Sequence, residues 1–224
     1  MFTGNLFGNP NIGMYIFATN TYALVGQDMP KKMCEEVEKT LKVPVHKISA
    51  AGTSLTGVFF AGNSHCLLVP EIMFQEEIDL LKKAGIVFAV IKSHLTALGN
   101  NILANDKGAI VNKEFDDKAI EQIHISLKVP VVRATIAGIH VVGSSAVLNK
   151  NGCLIHRDVT EEEKKKVEET LAIHCEECTV NLGNPYLRSG IVCNDYDYIL
   201  GDNTRGPEVQ IIHQTLIDSA RKKP

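Results

Sequence analysis

The sequence predicts a closed, five-fold pseudosymmetric α/β propeller, a ring of strand–strand–helix–strand units with helices outside and sheets around a central cavity. Three observations lead there. A turn motif recurs at a nearly fixed interval. The same order of elements surrounds each copy. The chain opens with a strand that has no partner of its own and closes one strand short.

The motif is an Asn at the end of a short strand, a few small or polar residues, and a second apolar strand. It occurs at Asn20, Asn63, Asn105, Asn149 and Asn194, at intervals of 43, 42, 44 and 45 residues. A period in this range marks stacked or radially arranged units. Asn suits the turn because its side chain bonds nearby backbone and tolerates left-handed dihedrals. That is sufficient reason for each Asn, and contact with a partner from a shared rim is compatible with it.

In chain order, residues 1–7 form the spare strand. Ile12 to Thr19 is a strand, Tyr22 to Gly26 a second, and Asp28-Met-Pro30 opens a helix with Met33, Val37 and Leu41 inward. Val43 to Ile48 is the third strand. The second unit has strands at 55–61, 66–69 and 86–91, and a helix with Phe74, Ile78 and Leu81 inward. The third has strands at 102–104, 109–111 and 129–136, with Ile120, Ile123 and Leu127 inward. The fourth has strands at 139–148, 153–155 and 175–180. Its helix opens on the capping box Thr160 to Glu163, with Val167 and Leu171 inward. The fifth has strands at 186–193 and 198–200, then a helix with Val209, Ile212, Leu216 and Ala220 inward. The expected repeats are 8–50, 51–94, 95–137, 138–181 and 182–224 within a single domain, with residues 1–7 completing the fifth. Closure is expected to remove exposed sheet edges.

Hydrophobic residues make up 45% of the 224, charged residues 22%, and the net charge is −3. Free-standing, non-specific nucleic-acid binding does not fit that charge. There is no apolar run long enough to span a bilayer and no signal-peptide pattern, so a cytoplasmic protein is expected. His174-Cys175-x-x-Cys178 supplies one pair of metal-type ligands where a structural zinc needs two, and strand alternation sends the two Cys to opposite faces. His46, His94, His124, His140 and His213 each stand alone. Gly201 to Gly206 lacks the Lys and spacing of a phosphate loop.

The chain resembles the translation initiation factor 6 family of archaea and eukaryotes. The stretches that carry this are Asn20 to Val25, Gly62 to Pro70, Leu95-Thr-Ala-Leu-Gly-Asn100, Asn105-Asp106, Asn151 to His156 and Asn194-Asp195, and the likeness spans essentially the whole sequence. The resemblance implies the pentein fold and a monomeric, non-enzymatic protein that needs no cofactor or metal. It implies binding to the large ribosomal subunit at its subunit-joining face, on an L14/L23-type ribosomal protein near the sarcin–ricin loop of rRNA. Bound there, it would block the small subunit, and a role in large-subunit maturation is a second implication. The matching positions are Asn20, Tyr22, Asn63, His65, Leu95, Asn100, Asn105, Asp106, Asn194 and Asp195, expected on one face, with Tyr22 and His65 as anchors by residue type. Two departures matter. Eukaryotic members extend past the ring with a phosphorylated tail, whereas this sequence ends at Pro224, so the archaeal type is expected. Ser64 stands where eukaryotic members commonly carry Arg, which weakens the case for a phosphate contact there. The alternative is a guanidino-group-modifying pentein enzyme with Cys193 as nucleophile. Cys193 ends the apolar run Gly190-Ile-Val-Cys, as a buried core Cys would.

Overall fold

In a computed structural model, residues 1–218 are described. They form five three-stranded sheets, each built the same way. The first contains β2 (Ile16–Ala18), β3 (Ala23–Val25) and β4 (Val45–Lys47). The second contains β5 (Ala61–Gly62), β6 (Leu67–Pro70) and β7 (Phe88–Ile91). The third contains β8 (Ile102–Ala104), β9 (Ala109–Val111) and β10 (Val131–Arg133). The fourth contains β11 (Ala146–Leu148), β12 (Cys153–His156) and β13 (Cys175–Cys178). The fifth contains β14 (Ile191–Cys193), β15 (Tyr198–Gly201) and β1 (Phe2–Gly4). Inner and middle strands pair antiparallel across the Asn turn, and the outer strand joins the middle one in parallel. A parallel return needs a crossover. The helices Lys31–Leu41, Gln75–Lys83, Asp117–Leu127, Glu161–Leu171 and Pro207–Leu216 supply it. The spare first strand completes the fifth sheet, with Phe2 opposite Ile199.

The apolar cores lie between the sheets, not inside them. Each middle strand is buried on both faces and sends alternate residues to opposite seams. In β3, Ala23 and Val25 face the seam shared with the fifth sheet, and Leu24 faces the second. In β9, Ala109 and Val111 face the second sheet and Ile110 the fourth. In β12, Cys153 and Ile155 face the third and Leu154 the fifth. This is why the middle strands read as unbroken apolar runs. Each helix covers the outside of one seam, as Val37 and Leu41 or Ile123 and Leu127 do. Cys175 and Cys178 separate in the same way, into neighbouring seams. A fully buried Val, Leu or Ile contributes roughly 1.5–3 kcal/mol relative to exposure. A lone unit would leave one face of its middle strand in water, so the five units stand or fall together.

Three expectations change. Closure does not remove sheet edges, because no strand of one sheet pairs with a strand of the next and each keeps a free outer edge. Those edges are three or four residues long and carry charges such as Lys47, Arg133, Glu176 and Glu177, which discourages edge pairing. The first halves of the strands predicted at 12–19, 55–61 and 186–193 are single helical turns, and 139–148 is extended only from Ala146. Glycines explain the difference. A Cβ on Gly57 would lie 1.8 Å from the Gly13 carbonyl oxygen, one on Gly99 2.2 Å from that of Gly57, and one on Gly143 2.2 Å from that of Gly99. The turns stack backbone on backbone around the ring, which an extended chain with side chains could not do. Phe74 is exposed at the helix N-cap, not inward, and Ala220 lies outside the described residues.

The sheets are also tied at the end of the ring remote from the Asn turns. Glu163 completes its predicted capping box by accepting from the Thr160 backbone, and the same carboxylate accepts from Ala137 N, Gly138 N and the Thr135 hydroxyl of the preceding unit. Glu77 and Glu208 hold the tight turns at 51–52 and 182–183 in the same manner. Burial opposes ionisation of Glu163, but the bonds from Gly138, Thr135 and Thr160 outweigh it and bring its pKa from 4.5 to about 2. A depressed carboxylate pKa stabilises the fold above the ordinary value, and that stability is lost as pH falls through the folded value. With solvent screening at this half-exposed site, about 1 kcal/mol is expected. Glu163→Gln should therefore lower the melting temperature at pH 7, with the gap to wild type closing between pH 4.5 and about 2; a gap independent of pH would contradict the ionic account.

Candidate functional site

The five turns form a rim around one mouth of the channel. The turn opener accepts backbone N–H groups two and three residues ahead. Asn63 Oδ1 takes those of His65 and Cys66, Asn105 those of Lys107 and Gly108, and Asn194 those of Tyr196 and Asp197. In the first unit this role belongs to Thr19, whose hydroxyl accepts from Thr21 and Tyr22. Asn20 is thus one residue past the position expected for it.

The Asn amides then reach into the next unit. Asn63 Nδ2 donates to Leu127 O at 2.9 Å and Asn105 Nδ2 to Leu171 O at 2.8 Å. Asn149 Nδ2 donates to Leu216 O at 3.0 Å and Asn194 Nδ2 to Leu41 O at 2.8 Å. Each acceptor is the last residue of a helix, where carbonyls lack intrahelical partners. Asn63, Asn149 and Asn194 also bond the carbonyls of Asn105, Asn194 and Thr19. The following residue adds a second stitch. Ser64 N donates to Asp106, Lys150 N donates to Asp195, and Asp195 and Asn20 exchange two bonds.

Of the ten predicted residues, Asn20, Asn63, Asn105, Asp106, Asn194 and Asp195 line the rim cavity of about 350 Å³, and His65 is exposed in the same ring of turns. Tyr22 sits there too but is half-buried against the seam of Phe17, Phe60 and Leu67, and burial pushes its phenol pKa up. It supports the rim from beneath and is not an exposed anchor. Leu95 and Asn100 are at the opposite end. They follow β7, which runs away from the Asn63 turn, and Asn100 lines the far mouth with Ser144 and Ser189. One face cannot hold all ten. Sequence reasoning passed over Thr19, although it stands 44 residues before Asn63 and fits the period as well as Asn20 does. It also left Asn149, Lys107 and Lys150 out of the site, though all three line the cavity.

A model of the family described as "eIF-6 family" matches residues 1–215. The chain belongs to the eIF-6 family. It is 35% identical over 220 residues to translation initiation factor 6 of Staphylothermus marinus, covering 96% of this chain and 97% of that one. It is 36% identical to the factor of the same name from Pyrobaculum aerophilum, covering 94% and 96%. Among solved structures it is similar in fold to DDAH from Pseudomonas aeruginosa complexed with citrulline, at TM-score 0.50 and 12% identity, covering 75% of this chain and 68% of that one. A dimethylarginine dimethylaminohydrolase adduct with S-methyl-L-thiocitrulline gives TM-score 0.51 at 15% identity, with the same coverage. Both share the pentein fold with this eIF-6 family member.

Behind the rim, the family member's channel is walled by the inner strands and meets Arg188. Cys193 lines it, with Sγ 3.3 Å from Leu148 O. Burial drives its pKa up to about 12; Arg188 pulls the other way and Asp195 adds to the rise. Among the described residues, neither a His nor a carboxylate lines this chamber. A thiol nucleophile needs a base or cation that lowers its pKa below the ordinary range, and here the balance goes upward. The Cys193 enzyme alternative gains no support from that setting.

Two outcomes follow from the site. Asn194→Ala removes the clip on the buried Leu41 carbonyl and the half-buried Thr19 carbonyl and should cost about 2–4 kcal/mol in denaturant unfolding, whereas Asn20→Ala, on an exposed pair, should cost less than about 1 kcal/mol. Equal losses would show that the amide clips are not the difference. In native protein at pH 8, iodoacetamide should leave Cys193 unlabelled by mass spectrometry over a time in which the unfolded chain labels fully; rapid native labelling would revive the thiolate.

Proposed function

We propose that this chain binds the large ribosomal subunit at its subunit-joining face and sterically prevents the small subunit from joining. The observation that carries this reading is the rim itself. It is one rigid, polar collar on a chain whose curated relatives are translation initiation factors. Occlusion requires only a stable contact that overlaps the competing footprint, and a standard interface buries about 800 Å² on each partner. Because the turns are already bonded across units, docking costs little ordering entropy. The partner is an L14/L23-type ribosomal protein beside the sarcin–ricin loop. The contact set is Asn20, His65, Asp106 and Asp195, with Asn63, Asn105 and the buried Asn194 holding the turns that present them. Tyr22 underpins it, and Leu95 and Asn100 shape the ring at its other end. The protein acts as a cytoplasmic monomer without turnover chemistry, and assistance in large-subunit maturation is a second use of the same contact.

The test is sedimentation of matched subunits under joining conditions with and without the protein. Co-migration with the large subunit and a smaller joined peak are expected. The doubly substituted Asn20→Ala, His65→Ala protein should bind at least tenfold more weakly while melting within a few degrees of wild type. Protein that stays at the top of the gradient would overturn the proposal, and so would binding that leaves joining intact.

A further inference from the structure

The helical turns that stack around the channel place Gly13, Gly57, Gly99 and Gly143 at one level. At the fifth equivalent position, 45 residues after Gly143, stands Arg188. Its backbone N–H donates to Ser144 O, continuing the stack, and its side chain crosses the channel to the opposite wall. Nε donates to Gly57 O at 3.1 Å and Nη2 to Phe60 O at 3.1 Å, and the guanidinium carbon lies 6.0 Å from the centre of the Phe17 ring.

The guanidinium carries five N–H donors, and these two bonds use only two of them. No carboxylate pairs with it among the described residues, and none lines the chamber on either side. Two carbonyls and a ring face compensate a half-buried cation only in part. Burial accordingly lowers the Arg188 pKa to about 10, with Cys193 acting weakly the other way. The chambers differ in size and in the side chains that line them. On the rim side, about 110 Å³ is walled mainly by Ile16, Phe17, Ala61, Leu103 and Ile191. The far chamber, about 260 Å³, is lined by Met14, Val58 and Tyr186 as well as Asn100, Ser144 and Ser189. The serine hydroxyls already donate to Val141 O and Tyr186 O, but the Asn100 side chain makes no hydrogen bond among the described residues.

We propose that the far chamber is a binding site for a small oxyanion, held by the free Arg188 N–H groups with the Asn100 amide as second donor. The rim-side chamber is the smaller and adds no side-chain amide or hydroxyl of its own, whereas the far one adds the Asn100 amide and two serine hydroxyls. Charge-assisted bonds from a guanidinium are the strong class of hydrogen bond and match the geometry of phosphate and carboxylate groups.

The experiment is calorimetric titration of inorganic phosphate into the full chain at low ionic strength, with melting temperature as a second readout. Wild type should bind with one-to-one stoichiometry and melt higher as phosphate rises. Arg188→Gln keeps a donor near the Gly57 carbonyl and loses the charge, so binding should weaken at least tenfold. Arg188→Lys should restore part of it, and Asn100→Leu, which fills the chamber from the other wall, should abolish it. Circular dichroism checks the fold of each variant. No binding to wild type would overturn the proposal, since water would then suffice for Arg188. Undiminished binding to folded Arg188→Gln would do the same. If Arg188→Gln does not fold, undiminished binding to Asn100→Leu decides against it.

Discussion

The structure depends on the double-sided burial of its five middle strands. Each is only three or four residues long, too short to hold a sheet by hydrogen bonds alone. What fixes it is that alternate residues enter two different cores, so that a one-residue slip would exchange both sets at once. Every core is shared by neighbouring units, and a chain of such units has two bare faces unless it closes. Closure places the inner strands around a channel and brings the Asn turns to one mouth and the glutamate-held turns to the other. The ring is therefore a consequence of where apolar side chains can go, and the candidate site is a consequence of the ring.

The rim shows how one residue type meets two demands. A turn between antiparallel strands needs a short side chain that accepts backbone N–H groups, and Asn does this with its oxygen. The same side chain carries an N–H donor that reaches the last carbonyl of the next helix. Thr19 performs the first task and cannot perform the second. At that seam, between the first and second sheets, Tyr22 packs in and the contact is apolar. The rim is thus uneven: four seams closed by amides and one by an aromatic ring. A partner docking there meets a surface whose polar groups are mostly committed, so its contacts fall on the exposed residues between the clips.

Much of this was legible in the chain. The turn period and the alternation of apolar residues are local properties, and they gave the ring, its order of elements and the role of the first strand. The single helical turns were not, because a short apolar run fits a strand or a buried turn equally well. They become visible only when Gly13, Gly57, Gly99 and Gly143 are read as one series, since each glycine answers to a carbonyl in a different unit. Arg188 escapes for the same reason: it is unremarked until it is seen as the odd member of five. The misplacement of Leu95 and Asn100 has another cause. Sequence proximity to the Asn105 turn hides the strand β8 between them, which spans the length of the channel.

The parallel pairing of β1 with β15 sets the order in which the molecule can be made. Phe2 and Ile199 are neighbours in space and lie at opposite ends of the chain. During synthesis the first four sheets have their strands in hand as each emerges, but the first strand waits exposed until the fifteenth appears. Leu6 and Ile12, which belong to the closing seam, wait with it. Long-range pairings of this kind form late and leave apolar surface uncovered meanwhile. The ring's final seam is therefore the last whose apolar residues can be covered as the chain is made.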